Sequence, residues 1–135
     1  MAIETAFILP ILIVMSLGGF ETSRIVSRQF ELQSVAGEAE VIAIATASGA
    51  ETSTTKLKNI LKASADLDDS QITISRFYRC NANAQTVSTP ESCNEDDVVT
   101  DYVRLVISDT YTPIWTDFGV GKPVDMQVER TVLLP

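Results

Sequence analysis

Residues 5–20, TAFILPILIVMSLGGF, decide the fold: they are sixteen residues without a charge, lying between Glu4 and Glu21. A helix that spans a bilayer needs about 20 apolar residues, and at least about 17, so this run is marginal as a permanent anchor. It is nevertheless too apolar to be the exposed terminus of a soluble domain. The segment therefore needs a cover of lipid or of other protein chains.

A secretory signal peptide is the alternative interpretation of this run. Such a peptide combines a basic n-region, an apolar segment and a cleavage site between small residues. Ser16-x-Gly18 fits the cleavage site, but residues 1–4, MAIE, carry an acid and neither Lys nor Arg. The mismatch in the n-region favours a retained helix.

The pattern that follows Phe20 is that of an amphipathic helix. Residues 21–48 contain no proline and one glycine, and Gly49 stands where a helix C-terminus is typical. The apolar stripe consists of Ile25, Val26, Phe30, Leu32, Val35, Ala36, Ala39 and Ile42. We predict one helix over residues 2–48, about 70 Å long at about 1.5 Å per residue. Residues 1–49 are thus expected to form an assembly and membrane helix.

Residues 50–135 are predicted to form a globular head. Ser53 or Thr54 can cap a short helix that ends near residue 65, and its apolar face contains Leu57, Ile60 and Leu61. Alternation of apolar and polar residues predicts strands over 71–79, 98–111 and 123–134. An antiparallel sheet of three or more strands would bury one face on the amphipathic part of the long helix. The predicted fold class is α+β.

Composition excludes several classes of function. The chain has 135 residues, enough for one domain, with 10 Lys and Arg against 18 Asp and Glu and a formal net charge of −8. That balance disfavours nucleic acid, because phosphate binding depends on excess Lys and Arg. There is no histidine, which removes Ser-His, Cys-His and His-metal sites. We therefore expect neither an enzyme nor a cofactor, and no nucleic-acid partner.

Two cysteines, Cys80 and Cys93, flank a polar loop. Their spacing differs from that of a C-x-x-C redox pair, and the chain lacks the further Cys or His that a zinc site needs. We interpret the pair as a structural disulfide, which implies an oxidising compartment. Two buried free thiols are the alternative.

Two further regions leave alternatives open. Asp66, Asp68 and Asp69 are weak calcium candidates, but they lack the spacing and glycine of an EF-hand, so we predict a solvated turn and no metal. Residues 111–119, YTPIWTDFG, contain three aromatic residues. They are either a loop that folds back over the end of the sheet or a contact between subunits.

The opening residues 2–10, AIETAFILP, resemble the N-terminus of a type IV pilin. More narrowly, they are similar to the TadE-like pilins and pseudopilins of tight-adherence (Tad/Flp) systems. The apolar run and the following Phe20-Glu21-x-x-Arg24 are similar as well. The specific resemblance ends about thirty residues into the chain, and the remainder agrees in layout only.

The resemblance implies a structural subunit of an extracellular pilus filament, a homo-oligomer held in the inner membrane before assembly and at the cell surface afterwards. It implies a prepilin peptidase that leaves Met1 as a methylated terminus, and an inner-membrane assembly platform. The family's glutamate is usually the fifth mature residue and Glu4 is the fourth, so cleavage one residue upstream of Met1 is an alternative. The alternative functions are a minor or priming pseudopilin and a membrane-anchored extracytoplasmic binding module.

The resemblance also assigns roles within the apolar segment. Glu4 is expected to pair with the terminal amine of Met1 on a neighbouring subunit; an acid that favours the dipole of its own helix is the alternative. Pro10, Gly18 and Gly19 weaken the helix, so we predict local unwinding there, as in pilins that pack into filaments. The expected filament core consists of Phe7, Ile8, Leu9, Ile11, Leu12, Ile13, Val14 and Phe20.

Overall fold

A long helix packs against a small antiparallel sheet, which confirms the predicted α+β class. The structure is a computed structural model that describes residues 2–47, 54–81 and 85–134. Its elements are the helices α1 (Ala2–Ala47) and α2 (Thr54–Ala65) and the strands β1 (Ile72–Cys80), β2 (Thr86–Val87), β3 (Val99–Tyr111) and β4 (Val124–Leu133). The strands form one antiparallel sheet in the order β2-β1-β3-β4. This arrangement is pilin-like.

The second part of α1 forms one wall of the head's core. The helix has 46 residues, and its buried apolar residues are Leu32, Val35, Ala36, Ala39 and Ala43. They recur every three or four residues, which keeps them on one face of a helix with 3.6 residues per turn. Val26 and Phe30 are 47% and 66% exposed, so their assignment to the buried stripe is wrong. Val26 follows the half-buried Ile25 by one position, and Phe30 follows the half-buried Arg28 by two. Residues one or two positions apart do not lie on the same face of a helix, so both side chains point away from the sheet.

The inner face of the sheet forms the opposite wall. Ile107 of β3 lies between Ile72 of β1 and Val128 of β4, so three neighbouring strands present buried side chains at one level. Leu105 and Met126 extend this layer. The alternation in the sequence predicted all three long strands. It did not predict β2, because two residues are too few to show a period of two.

The short helix α2 closes one side of the core. Leu57, Leu61 and Ala65 are buried, whereas Ile60 is 43% exposed and lies off the predicted face. The spacing of four between the buried residues explains this, because Ile60 precedes Leu61 by one position. The predicted cap at Ser53 or Thr54, the stop at Gly49 and the boundary between helix and head fall outside the described side chains.

Cys80 and Cys93 form a disulfide with their Cα atoms 5.5 Å apart, which confirms the predicted pairing. The bond ties the end of β1 to the loop that leads into β3. Close to it, the backbone N–H of Val98 donates to Oδ1 of Asn81 at 2.9 Å, and the N–H of Asn81 donates to the carbonyl of Val98 at 2.7 Å. These bonds hold the outer end of the antiparallel pair β1 and β3.

Replacing both cysteines by serine is expected to lower the free energy of unfolding by about 3 kcal/mol, because the cross-link restricts the unfolded chain. The two residues are 13 positions apart, which sets the size of the closed loop. Urea unfolding of both chains in one detergent, followed by circular dichroism, measures the difference. Reductant should bring the wild-type chain to the midpoint of the double variant; equal midpoints without reductant would contradict the prediction.

Candidate assembly surface

The apolar segment of α1, residues 5–20, projects beyond the core of the head, and the other described residues leave most of its surface uncovered. All its side chains are exposed, and Gly18 is half-buried. Exposure of the eight residues expected in a filament core ranges from 51% at Ile13 to 72% at Phe7. By length and composition, α1 can cross a membrane between Thr5 and Ala45, where its most apolar window has a mean hydropathy of 1.7 and is 6% buried. So large an apolar surface requires a cover of lipid or protein.

The predicted pair of Met1 and Glu4 lies outside what the structure describes. Met1 is not among the described residues, and of Glu4 only its place in the first turn of α1 is described. The exchange of an ion pair between neighbouring subunits therefore stays a prediction.

The predicted unwinding at Pro10, Gly18 and Gly19 is not a property of the single chain. The helix α1 runs through all three positions without interruption. Pro10 lies inside it and removes the backbone donor for the carbonyl four residues earlier. The Thr22 hydroxyl donates to the Gly18 carbonyl at 2.8 Å, adding a contact to the backbone of the glycine pair. Unwinding on assembly stays a prediction, because neighbouring subunits would have to stabilise it.

A buried carboxylate marks the point where the apolar segment meets the head. Glu21 is 4% exposed, and its Oε2 accepts a hydrogen bond of 2.8 Å from the Tyr111 hydroxyl at the end of β3. Its Oε1 lies 3.9 Å from a guanidinium nitrogen of Arg24. That guanidinium lies 5.8 Å and 5.9 Å from the ring centres of Phe20 and Tyr111. Burial and the neighbouring carboxylate raise the pKa of the Tyr111 phenol, so the hydroxyl remains a donor near neutral pH.

The variant Tyr111→Phe is expected to destabilise the head by about 1–3 kcal/mol, because it leaves one oxygen of a buried carboxylate without its donor. Thermal unfolding in detergent would show the loss. Tyr78→Phe, on β1, is the matched control and should unfold like the wild type. A Tyr111→Phe chain as stable as that control would show that Glu21 is satisfied without the hydroxyl.

A second polar link joins α1 to the head at Arg28, about two helical turns beyond Glu21. Nε of Arg28 donates to Asp109 of β3 at 2.7 Å, and Nη1 donates to the Ala65 carbonyl at the end of α2 at 3.1 Å. Gln71 donates to the other oxygen of Asp109 at 2.8 Å. One guanidinium therefore holds α1, α2 and the sheet together where the helix enters the head.

The segment that begins at the last residue of β3, here called the aromatic loop (residues 111–120), lies beside the apolar segment. Tyr111 and Pro113 point inward at the end of the sheet, as the fold-back interpretation expects. A short 3-10 helix over Ile114–Phe118 follows, and it ends at Gly119 with φ of 73°. Glycine adopts this left-handed conformation without strain, and its N–H donates to the Thr116 carbonyl. Phe118 is 78% exposed, and the contact between subunits stays untested.

The calcium candidates form an ordinary turn. Asp69 lies in a 3-10 helix, and the Lys62 ammonium, 3.2 Å away, lowers the pKa of its carboxyl through a hydrogen bond. Asp68 is the N-cap residue of the same turn, and its backbone N–H donates to Oε1 of Gln71 at 2.8 Å. Within the described ranges, no three His, Cys, Asp or Glu side chains gather in a way that could hold a metal ion.

Glu21 and Arg28 are the two residues that sequence reasoning missed. Both are charged, yet both occupy the spacing of the buried face, in the series 21, 25, 28, 32, 35 and 39. A charge in phase with a buried stripe was the available signal, because a buried charge requires a partner. Neither partner, Tyr111 or Asp109, is close in sequence, so periodicity could not have named them.

Comparison with known proteins finds a similarity in the N-terminal part of the chain. Residues 1–39 match the family model described as TadE-like protein. No curated protein and no solved structure gives a significant match to this chain. The matched range covers the apolar segment, Glu21, Arg28 and all the buried apolar residues of α1 except Ala43, and it confirms the resemblance seen in residues 2–10. The N-terminal helix of this chain is therefore similar to that of TadE-like proteins.

Proposed function

We propose that this chain is a structural subunit of an extracellular type IV-like pilus and that it polymerises through α1. One observation carries the proposal: residues 5–20 are exposed and apolar, on a helix that continues without interruption into the core of the head. An inert anchor would need no rigid link to its head. Here Glu21 and Arg28 fix the helix to the sheet, so the head and the helix move as one building block.

In the proposed filament, the apolar segments of many subunits bury one another and the heads face solvent. Such a contact joins unlike surfaces of identical chains and does not close, which produces a filament. Glu4 of one subunit would pair with the terminal amine of Met1 on the next and set the axial position. The acidic head keeps filaments soluble and disfavours direct contact with nucleic acid.

The remaining parts of the proposal follow from the TadE-like match. A prepilin peptidase would process the chain, an assembly platform would extract it from the inner membrane, and the filament would stand at the cell surface. The head would serve no catalytic purpose, because the sequence has no histidine and no recognisable catalytic constellation. A minor or priming pseudopilin is the second candidate, since residues 2–10 resemble those of TadE-like pseudopilins as well as those of pilins.

Quantitative mass spectrometry of filaments sheared from the producing cells tests the proposal. If this chain is the dominant filament protein, it is the structural subunit. If it is present in trace amounts beside another subunit, it is a minor pilin. If it remains in the membrane pellet and is absent from filaments, polymerisation is refuted and a membrane-anchored binding module takes its place.

A further inference from the structure

The aromatic loop and the apolar segment of α1 share a surface. Trp115 and Phe118 line a groove of about 350 Å³ whose other wall is formed by Val14, Leu17 and Gly18. The loop therefore extends beyond the core of the head to residues of the apolar segment. It extends along the part of the helix that has no other cover within the described residues.

The position of this groove along α1 fixes its depth in a bilayer. The first basic residue after the apolar segment is Arg24, six residues beyond Gly18 and ten beyond Val14. At about 1.5 Å per residue, the groove lies about 9–15 Å below the level of Arg24. An arginine at the end of a spanning segment keeps its charge at the membrane surface. If α1 is inserted to that level, the loop reaches below the surface.

The chemistry of the loop matches that depth. Phe118, Val120 and Ile114 are 78%, 61% and 48% exposed, and all three line the groove. Thr116 and Asp117 lie between them in sequence and do not line it, so the loop has an apolar side and a polar side. The indole of Trp115 lies against Gly121, where an added Cβ would be 3.2 Å from Nε1. Aromatic side chains with one polar edge are enriched at membrane interfaces.

We propose that the aromatic loop inserts into the head-side leaflet of the bilayer before assembly, with lipid acyl chains in the groove. The inference rests on the proposed membrane-held state. Lipid is the occupant because the groove is continuous with the surface of α1 that a bilayer would surround. The guanidinium of Arg24 lies near the rings of both Phe20 and Tyr111, which places a cation and two aromatic rings at the level of the membrane surface.

Intrinsic tryptophan fluorescence measures the environment of the aromatic loop directly, because Trp115 is the only tryptophan of the chain. The full chain is reconstituted into phosphatidylcholine vesicles, and membrane insertion is checked by flotation. Intrinsic fluorescence is then measured in vesicles whose acyl chains carry bromine close to the headgroup or close to the methyl end. We expect the emission of Trp115 to be blue-shifted. Bromine near the headgroup should quench most of this emission, and bromine near the methyl end should quench less of it.

Each other outcome overturns the inference. Vesicles that float with the protein while Trp115 is quenched by aqueous acrylamide and not by bromine would overturn the loop insertion and leave the membrane-held state intact. Protection from both quenchers would mean that a second copy covers the groove. Failure to float would refute the membrane-held state as well.

A pair of variants separates insertion from mere proximity. Phe118→Glu places a charge on the apolar side of the loop and should reduce quenching by shallow bromine. Phe30→Glu makes the same change at a phenylalanine that is 66% exposed but lies beyond Arg24 on the head side, and it should leave quenching unchanged. Equal quenching in both variants would overturn the proposal.

Discussion

Replacing Glu4 by glutamine is expected to abolish surface filaments while leaving the amount of membrane-held protein unchanged. Glutamine keeps the size and hydrogen-bonding capacity of the side chain but removes the charge that would attract the terminal amine of Met1. At an effective dielectric constant of about 20, two unit charges about 4 Å apart attract by about 4 kcal/mol. That energy corresponds to roughly a thousandfold in the affinity between subunits. Electron microscopy and immunoblotting of sheared filaments measure the loss.

The control is Glu38→Gln, the same change at an exposed position on the same helix. It should assemble as the wild-type chain does. Normal filaments from the Glu4→Gln chain would contradict pairing with Met1. They would instead support the alternative that Glu4 favours the dipole of its own helix, which is worth only about 0.3–1 kcal/mol.

The variant Leu32→Ala is expected to lower the free energy of unfolding of the head by about 3 kcal/mol, within a usual range of about 2–5 kcal/mol for such truncations. Leu32 is 0% exposed and packs in the core cluster that joins α1 to the sheet. The loss combines the missing burial of apolar atoms with the cavity left behind. Urea unfolding in detergent, followed by circular dichroism, measures it.

Leu133→Ala is the matched control, because Leu133 is 53% exposed on β4. The same truncation there should change the midpoint little. If Leu32→Ala were as mild as this control, the second part of α1 would be dispensable for the fold of the head. Such a result would contradict the rigid connection between α1 and the head on which the proposed function depends.

Periodicity predicted the larger elements because they are long and one face of each is buried. The buried residues of α1 from Leu32 to Ala43 repeat at helical spacing, and Met126 and Val128 of β4 alternate with exposed residues. Such patterns follow from local geometry alone. Val26 and Phe30 were assigned to the buried stripe wrongly, because an apolar residue type does not by itself show whether its side chain is buried.

The sequence predicted the apolar segment of the candidate surface but not the contacts that join this segment to the head. The apolar segment is a local feature, and residues 5–20 indicated its need for a cover. The hydrogen bond between Glu21 and Tyr111 joins residues 90 positions apart, and that between Arg28 and Asp109 joins residues 81 apart. The groove between the aromatic loop and Leu17 likewise depends on how the sheet docks on the helix. Neither spacing nor composition encodes such docking.

Cysteine cross-linking in intact filaments tests the central claim, that α1 carries subunit contacts. Both native cysteines are in the disulfide, so a new cysteine is the only free thiol of the chain. Ile11→Cys places it in the middle of the apolar segment, and Ser88→Cys places it on the exposed surface of the head as a control. After treatment of sheared filaments with a bifunctional thiol-reactive cross-linker, we expect covalent dimers from Ile11→Cys, since each subunit carries one free thiol, and monomers from Ser88→Cys. Monomers from Ile11→Cys in filaments that contain the chain would contradict assembly through the N-terminal helix.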